Sequence, residues 1–195
     1  MIMLPDPLGK ALDFAGAVNL INEPEKPHPR VIFLSPSGRQ FTQKLAKELA
    51  AEKELIFVCG RYEGIDQRII DAYADDEISI GDYVLSSGEV AALAVIDAVY
   101  RLLDNVISPV SLVEESFSGG LLEYPQYTRP EVYASIKVPE VLLSGHHENI
   151  RRWRLTKQVE KTLAIRPDLI REGEVNGLFD EQTRKIIQNI REVET

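Results

Sequence analysis

A chain of 195 residues with 44% hydrophobic content holds enough apolar material for one large domain, or for one medium and one small domain. Its single cysteine, Cys59, excludes an internal disulfide framework, and no Cys/His cluster has zinc-ligand spacing, so a reducing cytoplasm suits it and no metal centre is expected. The start Met1-Ile2-Met3-Leu4-Pro5 lacks signal-peptide character and no run approaches the roughly 20 apolar residues of a membrane span, so the sequence reads as a soluble, cytoplasmic protein with no membrane partner.

In chain order, Val31-Ile32-Phe33-Leu34 predicts a buried strand running into a turn at Ser35-Pro36-Ser37-Gly38. A helix capped by Thr42 follows through Glu52, with Leu45 and Leu49 inward. Leu55–Cys59 reads as a second strand stopped by Gly60, Ile65–Ala74 as a helix, and Ile78–Leu85 as strand and loop broken at Gly81. Glu89–Leu103 reads as a helix apolar on nearly every side, hence buried in the domain or in a subunit interface. Alternation of helices with strands buried on both faces predicts α/β layers around a parallel sheet. Periodicity fails between Asp104 and Tyr124, where Ser, Pro, Gly and paired Glu accumulate in a stretch longer than an ordinary connection. Beyond it lie a long helix over Glu148–Ile165, a break at Pro167 and a last helix over Glu181–Val193. The expected organisation is an α/β domain over 1–106, a flexible linker over 107–124 and a small all-helical domain over 125–195.

The net charge of −9 is unevenly spread: residues 1–123 hold 10 basic and 20 acidic side chains, residues 124–195 hold 12 and 11. Within 146–166, Arg151, Arg152, Arg154, Lys157, Lys161 and Arg166 face only Glu148 and Glu160. This segment is the candidate for contact with a polyanion, the alternative being a solvated helix face.

Two glycine-bearing segments follow predicted strands: Gly60-Arg61-Tyr62-Glu63-Gly64-Ile65-Asp66, and Ser79 to Glu89 with Gly81 and Gly88. Turns without Cβ atoms at the carboxyl ends of strands let the backbone bond the polar edge of a flat ligand. Neither segment is a dinucleotide or Walker loop, and Glu63, Asp66, Asp82 and Glu89 disfavour a phosphate. A cationic nucleoside such as S-adenosylmethionine fits that character; tight turns between buried strands are the alternative.

Five strings carry a resemblance: Leu34-Ser35-Pro36-x-Gly38-Arg39, Val58 to Asp66, Ser79 to Ser86, Tyr127-Thr128-Arg129-Pro130-Glu131 and Ile150-Arg151-Arg152-Trp153-Arg154. In this order they resemble bacterial tRNA (guanine-37-N1)-methyltransferases over most of the chain. The resemblance implies a SPOUT-class fold, in which a parallel sheet is tied in a deep trefoil knot and followed by a helical tRNA-binding domain, in a homodimer. It implies a cofactor pocket for S-adenosylmethionine at Leu34, Pro36, Gly60, Tyr62, Glu63, Ile80, Gly81, Tyr83, Leu85, Gly88 and Glu123, and tRNA contacts from Arg151, Arg152, Arg154 and Lys157. Mg²⁺ is an implied helper near the acidic end of the cofactor.

The same resemblance places the catalytic arginine at Arg101. It places the base, usually Asp, at Glu115 before Ser116-Phe117, with Glu114 as its neighbouring alternative. Ser87 stands where the family has glycine, and a positive φ there would be costly for serine. Family members also begin with a further strand, helix and glycine-rich loop that has no counterpart before Met1. The expected activity is therefore methyl transfer to N1 of guanosine 37 of tRNA, the alternative being a catalytically impaired or truncated tRNA-binding homologue.

Overall fold

In the computed structural model, residues 1–61, 63–107, 115–117 and 119–193 are described. The chain divides into two compact units, Met1–Ile107 and Ser108–Thr195. The first opens with helix α1 (Pro5–Phe14), in which Pro5 occupies the first helical position, where its missing N–H costs nothing. Strands β1 (Arg30–Gln40), β2 (Leu55–Cys59) and β3 (Asp76–Ser79) form a parallel sheet in the order β2-β1-β3. Helices α2 (Gln43–Ala50), α3 (Gln67–Tyr73) and α4 (Gly88–Tyr100) complete the unit.

Period-2 alternation along β1 sorts its side chains to two cores. Ile32 and Leu34 pack with Leu45 and Leu49 of α2, Ile78 of β3 and Val95 of α4. Val31 and Phe33 face the other way, onto Leu12 of α1 and Ile69 and Tyr73 of α3. Helices thus cover both faces of the sheet, which is why Val31–Leu34 of β1 and Leu55–Cys59 of β2 are unbroken apolar runs rather than alternating ones. Thr42 accepts a hydrogen bond from the Leu45 amide at 3.3 Å and caps α2 as predicted.

The predicted turn at Ser35–Gly38 is instead the middle of β1. The strand pairs with β3 through Leu34, slips register, and pairs again at Arg39 and Gln40. Gly38 permits this, because a Cβ there would lie 2.5 Å from the Glu77 carbonyl carbon and the Ile78 amide nitrogen. Arg39 and Arg30 both pair with the buried Asp76 carboxylate, Arg30 through Nε at 2.7 Å, and so hold the two parts of β1 to the first residue of β3.

The second unit contains a two-residue antiparallel ladder between β4 (Val132–Tyr133) and β5 (Ile136–Lys137). Four helices follow: α5 (Glu140–Leu143), α6 (His147–Ile165), α7 (Pro167–Val175) and α8 (Glu181–Val193). The ladder, α1, α5 and α7 are additions to the predicted elements, and Pro167 starts a helix as well as ending one. The core of this unit joins Val159 of α6, Ile170 of α7 and Ile187 of α8 to Phe179 and Leu121. Leu121 fell in the predicted linker, yet it is buried, and the adjoining Leu122 amide donates to Thr162 Oγ1 at 2.9 Å.

Candidate active site

The carboxyl ends of β2 and β3 and the middle of β1 border one cavity of about 330 Å³. Its wall includes Leu34, Ser35 and Pro36 from β1, Gly60, Arg61, Glu63, Gly64 and Ile65 after β2, Ile80, Gly81 and Tyr83 to Ser86 after β3, and Ser87, Gly88 and Ala91 at the start of α4. Nine of the predicted cofactor positions, Leu34, Pro36, Gly60, Glu63, Ile80, Gly81, Tyr83, Leu85 and Gly88, come together there. Tyr62 lies outside the described residues. Glu123 belongs to the second unit, where its carboxylate accepts from Gln126 Nε2 at 2.8 Å and its carbonyl from Lys161 Nζ at 3.1 Å.

Two glycines shape the wall. Gly81 has φ +151°, outside the comfortable range of L side chains, and Ser79 Oγ fixes its turn by accepting from the Gly81 amide at 3.2 Å. At Gly88 a Cβ would lie 2.9 Å from Cys59 Cα, so only glycine lets the start of α4 rest on the end of β2. Ser87, by contrast, has φ −162° and ψ 156°. That is extended backbone open to any residue, so serine at this position imposes no strain.

Charge at the site differs from a simple acidic rim. Arg61 donates to Glu89 Oε1 from Nη2 at 2.6 Å and from Nε at 3.1 Å, tying the turn after β2 to the first turn of α4. That guanidinium, with the Glu89 backbone and Ser87 adding hydrogen bonds, holds the Glu89 carboxyl down to about 2. Asp66 is likewise held to about 2 by Arg68, and it caps α3. Both acids therefore act within the protein, and Glu63 is the carboxylate on the cavity wall. Burial, with the Glu89 charge second, pushes the Cys59 thiol up, so it stays protonated at neutral pH. The Arg61–Glu89 pair escaped the sequence reading although both residues lie in the quoted glycine segments; their spacing of 28 residues gives no local signal.

Arg101 is the C-cap of α4, where its amide donates to the Asp97 carbonyl at 3.1 Å. Glu115 lies in the second unit, before a tight loop in which Phe117, at φ +72°, donates its amide to the Leu121 carbonyl and Ser116 Oγ accepts from the Glu123 amide. Glu114 is outside the described residues. The four predicted RNA contacts all lie on α6 but are not equivalent. Arg151 and Arg152 are exposed, Arg154 stacks its guanidinium 4.7 Å from the Tyr124 ring centroid, and Lys157 pairs with Glu160 at 2.6 Å. Among the described residues no helix is long and apolar enough to cross a membrane, and no group of three or more His, Cys, Asp or Glu side chains gathers around a common point.

A parallel sheet whose glycine-bearing turns enclose a cavity at its carboxyl edge defines an α/β protein with a small-molecule site in the position usual for that architecture. The family described as tRNA (Guanine-1)-methyltransferase TrmD matches residues 1–172, and the chain belongs to that family. It is 60% identical over 188 residues to a Treponema denticola protein named tRNA (guanine-N(1)-)-methyltransferase, a match spanning 96% of this chain and 74% of the relative. Proteins of the same name from Borrelia duttonii (55% over 189 residues, 93% of this chain and 75% of the relative) and Treponema pallidum (50% over 190 residues, 97% and 72%) are also similar.

Proposed function

We propose that this protein transfers a methyl group from S-adenosylmethionine to N1 of guanosine 37 in tRNA. The observation that carries the reading is the cavity itself, which gathers predicted positions from three separate stretches of sequence onto one glycine-shaped wall. The wall suits that cofactor: Gly81 packs against Tyr83 and Gly88 against Cys59 where a Cβ would clash, which brings backbone to the lining for a flat adenosine, and Glu63 is an anionic partner for its ammonium. When bound, S-adenosylmethionine supplies an electrophilic methyl group on a sulfonium.

Guanine N1 carries a proton and is a poor nucleophile. In this reading the Glu115 carboxylate takes that proton as the N1–CH₃ bond forms and the S–CH₃ bond breaks, while Arg101 steadies the negative charge gathering on O6. Arg151, Arg152, Arg154 and Lys157 of α6 supply the tRNA contacts. The reading includes the family's trefoil knot around the cavity, the division of labour between a cofactor domain (1–106), a linker (107–124) and a tRNA domain (125–195), and a cytoplasmic location. Among the described residues no group of three or more His, Cys, Asp or Glu side chains forms a ready-made magnesium site.

The homodimer belongs to the same reading. One side of α4 is core, at Ala91, Val95 and Val99, while Leu93 and Tyr100 remain 66% and 57% exposed. An apolar helix with one face uncovered is suited to an interface. Leu93→Glu should shift the sedimentation of the protein from dimer to monomer; an unchanged dimer would place the interface elsewhere.

Cofactor binding is tested by calorimetry. The native protein should bind S-adenosylmethionine, Gly88→Ala should weaken binding at least tenfold by levering α4 from β2, and Ser87→Gly should leave it within about twofold. Equal affinity for all three proteins, or binding by none, would contradict the assignment of the cavity.

A further inference from the structure

We propose that a second cleft, built from Tyr124, Tyr127, Arg129, Trp153 and Arg154 within the second unit, receives one unstacked nucleobase of the RNA. This inference rests on the tRNA reading above and adds to it a specific subsite. The cleft has a volume of about 470 Å³. Tyr127 packs against Trp153 with ring centroids 6.2 Å apart and planes tilted by 57°, and it remains 47% exposed. Trp153 therefore fixes the tyrosine ring while leaving it area on which a base can stack. In the same lining, the stacking of Arg154 on the buried Tyr124 ring holds a cation in place.

The charge decides the occupant. Glu131 is the one carboxylate among the lining residues, against Arg129 and Arg154, and exposed Arg151 and Arg152 immediately precede Trp153 on α6. An apolar peptide would leave these guanidiniums unused, whereas a nucleotide uses both parts: its base stacks on the aromatic platform and its phosphate meets the arginines. A duplex cannot do this, because its bases are already stacked. The cleft thus selects a loop nucleotide rather than stem.

The chain contains one tryptophan, so its emission reports on the cleft directly. The full chain is titrated with a dye-labelled anticodon stem-loop RNA, with affinity read from anisotropy and the cleft from Trp153 quenching. Single loop nucleotides are then replaced by abasic sites. Binding should quench Trp153, and one abasic position should abolish the quenching and weaken binding about tenfold. Tyr127→Leu should weaken the native RNA by a similar factor without weakening that abasic RNA further, and Tyr127→Phe should behave as native. The proposal is overturned if RNA binds with no change in Trp153 emission, which would leave the cleft to a protein partner. It is also overturned if a loopless duplex quenches equally, or if Tyr127→Leu weakens every RNA alike or none. Absence of any RNA binding at low salt would instead overturn the tRNA reading itself.

Discussion

Glu115→Gln should lower the rate of methyl transfer by about 10²–10⁴-fold while leaving cofactor affinity unchanged. The amide is nearly isosteric with the carboxylate but cannot accept the guanine N1 proton, so the change removes a proton acceptor and little else. Single-turnover transfer measured beside S-adenosylmethionine binding separates the two effects. Glu114→Gln should leave the rate within about twofold, and a reversal of the two results would move the base to Glu114. Glu115→Asp is the informative companion. An extra methylene displaces a carboxylate by about 1.5 Å, and misplacement by about 1 Å can cost on the order of 10²-fold. If the backbone around the tight loop at Ser116–Phe117 has adapted to glutamate, the aspartate variant will be slower despite carrying the family's residue.

Asp76→Ala should destabilise the protein by about 3 kcal/mol, lowering Tm by roughly 10 °C. Only 8% of the Asp76 side chain is exposed, and it accepts from Arg30 at 2.7 Å and from Arg39 on opposite parts of β1. Removing it strands two guanidiniums, of which Arg30 retains Glu52 at 3.0 Å. The damage should reach the cavity, because the Arg39 brace holds the part of β1 that follows Leu34 and Pro36 against β3. Thermal unfolding with and without S-adenosylmethionine checks both parts: a Tm within about 2 °C of native would show that the network contributes little.

These two sites also mark what the sequence could and could not disclose. Leu55–Cys59 was legible because an unbroken apolar run bounded by glycine has few other uses, and α2 because Thr42 precedes a clear helical period. The start of β3 at Asp76-Glu77 was not, since those residues are strand only because Arg30 and Arg39, far away in sequence, neutralise the first of them. The Ser35–Gly38 stretch has the composition of a turn, and only the approach of the Glu77 backbone to Gly38 makes it strand. The β4–β5 hairpin escaped for a local reason. Its two loop residues, Ala134 and Ser135, take φ +48° and +67°, where Asn-Gly is the usual signal.

At the site, the glycines and flat side chains of the cavity wall could be read from the quoted strings, whereas the pairing of Glu89 with Arg61 and of Asp66 with Arg68 could not. Four acids became one on the wall. The extended backbone at Ser87 was equally hidden, because a departure from a family glycine reveals nothing about the φ angle actually adopted.

The most direct test of the central claim is to incubate the protein with S-adenosylmethionine and tRNA transcripts carrying either guanosine or adenosine at position 37, then digest the RNA and quantify N1-methylguanosine by mass spectrometry. N1-methylguanosine should approach one equivalent in the guanosine transcript and be absent from the adenosine transcript. Equal methylation of both, or of neither, would contradict the claim.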